Sequence, residues 1–140
     1  MLLKTTRRFT EFLDGKDIKY TAKENEGKSD WVSVKYSAEN MESINLSFFF
    51  DQDCQSFALR VFSIAKVPQN KIPAILSVCN ELANDYRWVR FYVDKDSEIT
   101  ASYDGVIDGD TAAPVCFELL GRTLSIVDES YPRFMKALWS

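Results

Sequence analysis

Residues 72–103 read IPAILSVCNELANDYRWVRFYVDKDSEITASY, and the hydrophobic period changes inside them. Ile72, Ile75, Leu76, Cys79, Leu82, Ala83 and Tyr86 recur at the spacing of one face of a helix. Asn70 stands where an N-cap is expected, and Pro73 falls in the first turn, where its missing N–H costs little. The spacing predicts a helix over residues 71–86 with that face buried. Residues 88–93 and 98–103 then alternate with period two. Asp94-Lys95-Asp96-Ser97 between them has the composition of a hairpin turn.

Upstream, Phe9, Phe12 and Leu13 place one face of a short helix over residues 4–14, with Gly15 as its stop. Ile18, Tyr20 and Ala22 then alternate with polar residues, and Asn25-Glu26-Gly27 reads as a turn. Val32, Val34 and Tyr36 share one side of the next strand, leaving Trp31, Ser33 and Lys35 on the other. Ile44, Leu46, Phe48 and Phe50 share a side of the third strand, and Phe57, Leu59 and Val61 of the fourth. Short turns between these strands predict an antiparallel meander. Downstream of the Gly/Asp-rich loop 105–110, two helical stripes follow. One is Val115, Cys116, Leu119, Leu120, Thr123 and Val127; the other is Tyr131, Phe134, Met135 and Leu138. The order is α-β-β-β-β-α-β-β-α-α. It predicts one α+β domain over residues 1–140, with helices packed on one face of an antiparallel sheet of about six strands.

Composition narrows the chemistry. The net charge is -4, so nucleic acid and anionic membrane are not expected as partners unless a local basic patch exists. The compact basic cluster, Lys4, Arg7 and Arg8, reads as a solvated helix face. No apolar run approaches a membrane span or a signal peptide, and the cytoplasm is the expected compartment. Three widely spaced cysteines, Cys54, Cys79 and Cys116, give no disulfide framework. The chain has no histidine, which removes the commonest general base and transition-metal ligand. No catalytic residue, cofactor or metal ligand is assigned, and an enzyme is not expected.

The candidate site residues concern a protein partner. Asn80 and Asn84 stand at i, i+4 on one helical face, where two amides could grip a peptide backbone or bond to nearby main chain. Phe134, Met135, Leu138 and Trp139 form a C-terminal apolar stripe that could cover the sheet or meet a partner. Trp31, Trp88 and Trp139 with ten Phe exceed what one sheet–helix layer is expected to enclose, which leaves apolar surface for a partner. The rival reading is a small enzyme or divalent-metal protein using the acidic loops, Asp94, Asp96 and Glu98 with Asp104, Asp108 and Asp110. A calcium-binding EF-hand is excluded: Ile99 replaces the glycine at the sixth position from Asp94, and no Glu stands at the twelfth. Cys79 and Cys116 lie on apolar stripes as small hydrophobes. Cys54 follows Asp51-Gln52-Asp53 and has no histidine to activate it.

The element order, with Ile75-Leu76-Ser77-Val78-Cys79-Asn80-Glu81-Leu82-Ala83-Asn84, Phe91-Tyr92-Val93-Asp94 and residues 99–103, resembles the YbjN family of bacterial proteins. That family's pattern is a helix ending near Asn-Glu-x-Asn and a strand ending in a short acidic turn. Asn80, Glu81 and Asn84 match it with one extra residue inside. The resemblance implies a fold similar to the type III secretion chaperones. It also implies a cytoplasmic, non-catalytic, dimer-forming domain linked to regulation. It implies no catalytic residues. The leading expectation is a homodimer that binds a protein segment; a further rival is a regulatory subunit within a larger protein complex.

Overall fold

The computed structural model describes residues 1–25 and 27–140, so the middle of the turn expected at Asn25-Glu26-Gly27 lies outside the described residues. The strands are β1 (Thr21–Lys23), β2 (Asp30–Ser37), β3 (Ser43–Phe50), β4 (Ser56–Val61), β5 (Arg90–Val93) and β6 (Ile99–Val106). They form one antiparallel sheet in the order β1-β2-β3-β4-β6-β5. The helices are α1 (Lys4–Gly15), α2 (Ile72–Asp85), which a 3-10 turn (Gln69–Lys71) precedes, and α3 (Ala112–Leu138). The α+β class and the six antiparallel strands are those the periods predict. The hairpin inserts with β6 inside. β6 has eight residues and buries Ile99, Thr100 and Ala101, whereas β5 has four and exposes Arg90 and Tyr92, as befits an edge.

One face of the sheet carries the core. Val32, Val34, Ile44, Leu46, Phe48, Phe50, Phe57 and Leu59 are at most 1% exposed. Phe9 of α1 sits 4.7 Å from Phe48 and 5.8 Å from Phe50, and Phe134 of α3 stands edge-on to Phe91 at 5.2 Å. Alternation of side chains is what makes this face continuous.

The C-terminal segment is one helix of 27 residues, not two. Pro132 lies inside it and cannot donate to the Asp128 carbonyl. The helix continues because that carbonyl has another partner: Asn40 Nδ2 donates to it at 3.0 Å. The Asp128 carboxylate also accepts the backbone N–H of Asn40 at 2.8 Å and of Glu39 at 3.2 Å. The β2–β3 connection therefore repairs the proline defect and is tied to α3.

The buried stripe of α2 is Ile75, Val78, Cys79 and Leu82. Leu76 is 50% exposed and Ala83 is exposed, contrary to the wider face expected. The helix covers the β5 side of the sheet, so its far flank meets water. Asn70 lies within the 3-10 turn, and no side chain caps the start of α2.

Gly15 is the last residue of α1, and the left-handed position falls two residues later, at Asp17 (φ 56°). Ile18 N donates to Leu13 O at 3.0 Å and Asp17 N to Asp14 O at 3.1 Å, the paired bonds of a Schellman motif. An aspartate there bears a Cβ penalty that glycine avoids. Asp17→Gly is expected to stabilise the domain by about 0.5–1 kcal/mol, read as a higher urea midpoint at unchanged slope. A lower midpoint would contradict the assigned cap.

Candidate partner-binding surface

The helices leave the other face of the sheet uncovered. Its side chains follow from the register. Lys23, Trp31, Phe49, Ala58 and Asp104 form one row across the strands. Thr21, Ser33, Ser47, Arg60, Ser102 and Arg90 form the next, running through all six. Lys35 pairs with Asn45 and Tyr92 with Thr100 beyond it. Short hydroxyl side chains thus form a shallow trough between longer ones, bridged above Ser47 by the rings of Phe49 and Phe62. Ser33 and Ser47 are 8% and 4% exposed although no helix covers them, and Ser33 Oγ donates to Asn45 Oδ1 at 2.5 Å.

At one end the trough opens into a groove of about 640 Å³, lined among others by Lys19, Tyr20, Trp31, Lys35 and Phe62. Phe62 is 51% exposed and meets Phe49 edge-on at 6.2 Å. It is aimed there by a kink at Ser63 (φ 53°), after which pairing with β6 resumes through Ile64 N to Ile99 O at 2.9 Å. A bulge-like kink that re-aims a side chain is typical of binding edges.

At the other end stands Trp88. Its φ is 76°, and Val89 N donates to Arg87 O at 2.9 Å across it. This is the rare γ-turn with a left-handed centre, and a bulky residue there stores strain. The indole lies 5.2 Å from the Arg87 guanidinium, 5.3 Å from that of Arg122 and 6.3 Å from the Tyr103 ring. A second cavity, about 450 Å³, joins Trp88 and Arg87 to Arg90, Ser102 and Asp104. The Trp88 turn therefore borders the trough.

The fold and these surfaces belong to a chain whose residues 6–136 match the model of the YbjN family, described as "Putative bacterial sensory transduction regulator". The chain belongs to the YbjN family. That description is regulatory rather than catalytic. No curated protein matches the chain significantly. No helix of this YbjN domain is long and apolar enough to cross a membrane among the described residues.

Asn80, Asn84, Phe134, Met135, Leu138 and Trp139 sit apart from the trough. Asn80 and Asn84 are exposed on the outer side of α2, and Asn84 Nδ2 donates to Asn80 O at 3.0 Å. Phe134 is 0% exposed, held inside the YbjN core against Phe91, so it has no surface to offer a partner. Met135 and Leu138 are half-buried, and Trp139 is 84% exposed. Trp31, Ser33 and Lys35 lie on the face opposite the helices, as the alternation predicts.

The acidic turns order the backbone. Donor atoms of Asp94, Asp96 and Glu98 lie within 4.8 Å of one another. Asp94 already accepts Asp96 N at 2.9 Å, Glu98 N at 3.0 Å and the Thr100 hydroxyl at 2.8 Å. The bond from Glu98 is the main reason its carboxyl is held below the usual aspartate value of 3.8. A carboxyl lowered on folding favours the folded state at neutral pH. That contribution is lost as pH falls through the depressed value. Asp108 is lowered in the same way, first by Thr111 N and then by Asp110 N, at the start of α3. Asp104 pairs with Arg60 at 2.8 Å. Burial pushes the Cys79 thiol up to about 11 and that of Cys116 higher still, which leaves neither reactive near neutral pH.

Proposed function

We propose that this YbjN chain is a non-enzymatic regulatory domain of the bacterial cytoplasm that homodimerises and binds an extended segment of a partner protein on its uncovered sheet face. The observation that supports the binding reading is the trough itself. Short polar side chains lie between Trp31, Phe49 and Phe62 on a face that no helix covers. Aromatic and arginine side chains around such a depression are the types that dominate protein interfaces. The rival metal or enzyme reading has less support, because Asp94, Asp104 and Asp108 are engaged by the domain's own donors. The dimer contact is assigned to the exposed end of α3, with Met135, Leu138 and Trp139, and Asn80 and Asn84, exposed on α2, are kept as further partner-binding residues.

The test places the photo-reactive amino acid benzoylphenylalanine at position 31, or at exposed position 11 on α1, in host cells. A discrete protein adduct from position 31 and none from position 11 is expected. The reverse pattern overturns the binding reading. Light scattering tests the dimer, with Trp139→Glu expected to halve the mass while the fold is kept. A wild-type chain that stays monomeric at high concentration ends that part.

A further inference from the structure

The uncovered face has a charge opposite to that of the chain. Its strands present Lys23, Lys35, Arg60 and Arg90 against the single carboxylate of Asp104, which is itself paired with Arg60. The chain as a whole is at -4. The groove at one end of the trough adds Lys19 and is lined by no carboxylate, and the Trp88 turn at the other adds Arg87. Among the described residues, Lys19, Lys35, Arg87 and Arg90 have no ion-pair partner. Carboxylates border the face as well: Glu24, beside Trp31 and Phe49, pairs with the N-terminal amine, and Asp51, Asp94 and Glu98 accept hydroxyl bonds from Ser56, Thr100 and Ser63. A protein with an excess of acid has thus gathered unpaired cations along one polar trough, and that pattern selects an anion.

Resting on the reading above that this face takes a protein segment, we infer that the segment is acidic and extended, and that it lies across the strands from the Lys19–Lys35 groove to Arg90 and Arg87. Six strands at about 4.8 Å spacing make a face about 24 Å across, the length of about seven extended residues, and the segment passes over the Phe49–Phe62 contact. Unpaired cations stand at both ends, with the closed Arg60–Asp104 pair between them, so carboxylates toward the two ends of the segment meet them. Trp31 and Phe49, neighbours across β2 and β3, offer a flat apolar contact to a side chain between the acids. Single-stranded nucleic acid shares the negative charge and the liking for aromatic faces. A polymer longer than the trough, however, would run onto the acidic remainder of the surface, and the protein segment is favoured for that reason.

The experiment uses the full chain with benzoylphenylalanine at position 31 in host cells and identifies the captured segment by mass spectrometry. It is repeated with Lys35→Glu plus Arg90→Glu, and with Lys35→Arg plus Arg90→Lys, each checked for an unchanged circular dichroism spectrum. The expected result is a segment rich in Asp and Glu. Its capture falls about tenfold or more on charge reversal and survives the conservative pair. A neutral or basic segment, or a yield indifferent to charge reversal, overturns the acidic inference while the protein-binding reading stands. Captured nucleic acid, or no capture at position 31, overturns both.

Discussion

Leu46→Asp is expected to leave the chain unfolded at room temperature. Leu46 is 0% exposed at the middle of β3, opposite Val34, with Phe48 next on the same face. The substitution removes about 2–3 kcal/mol of apolar burial. It also places a carboxylate where no cation can reach it, at a cost of several kcal/mol more. Together these match the whole stability of a small domain, about 5–15 kcal/mol. Asn45 is the control. One residue away, it is exposed on the opposite face, and Asn45→Asp keeps an oxygen to accept the Ser33 hydroxyl. Thermal melts by circular dichroism should show no cooperative transition for Leu46→Asp and a near-wild-type one for Asn45→Asp. A Leu46→Asp protein that melts near the wild-type temperature would show that the face is assigned wrongly.

That one-residue contrast shows why the sheet was legible from sequence. Period two in β2, β3 and β4 records which side is dry, and the dry side fixes the face of every strand it touches. Helical faces were less legible. Leu76 and Ala83 fit the period of α2 but not its burial, because a helix on the β5 flank needs a narrow stripe and period alone does not give its width. The break expected between the stripes ending at Val127 and starting at Tyr131 is absent for a different reason. Pro132 is a helix breaker locally, and the donor that rescues its turn, Asn40, lies 88 residues from the Asp128 carbonyl it satisfies.

The candidate surface divides in the same way. Trp31, Ser33 and Lys35 were placed on the face opposite the helices by alternation within one strand. Alternation alone does not make Arg60 and Arg90 their neighbours. Bringing them into one row requires β6 to stand between β4 and β5, and hairpin periodicity does not say which strand of the pair lies inside. The strained turn at Trp88 has no signal in the sequence: the alternation expected of residues 88–93 made it the first residue of a strand. In the structure β5 begins only at Arg90, and the indole is turned outward between two arginines. Phe134 shows the converse. Helical spacing grouped it with Trp139, but five residues along a helix turn the side chain well away, so one faces the core and the other solvent.

Asp30→Ala is expected to cost about 3 kcal/mol, a large loss for a residue that looks like an ordinary turn aspartate. Asp30 opens β2 and is 1% exposed. Its Oδ2 accepts the backbone N–H of Leu3 and the hydroxyl of Thr6, each at 2.7 Å. No side chain of the helix itself caps α1, so a carboxylate from 27 residues away supplies the acceptor at its N-terminus. The charge also lies at the positive end of the helix dipole, where a partly buried anion gains up to about 2 kcal/mol. Alanine removes two charge-assisted bonds and leaves a buried hydroxyl and an end N–H without partners, each loss worth about 1–3 kcal/mol before relaxation. Asparagine keeps one acceptor oxygen and loses the charge, so Asp30→Asn should cost about half as much. Urea unfolding of the three proteins at a common slope reads both numbers. If Asp30→Ala costs no more than Asp30→Asn, the carboxylate is not what holds the first helix to the sheet. α1 would then be held by Phe9 and Leu13 alone.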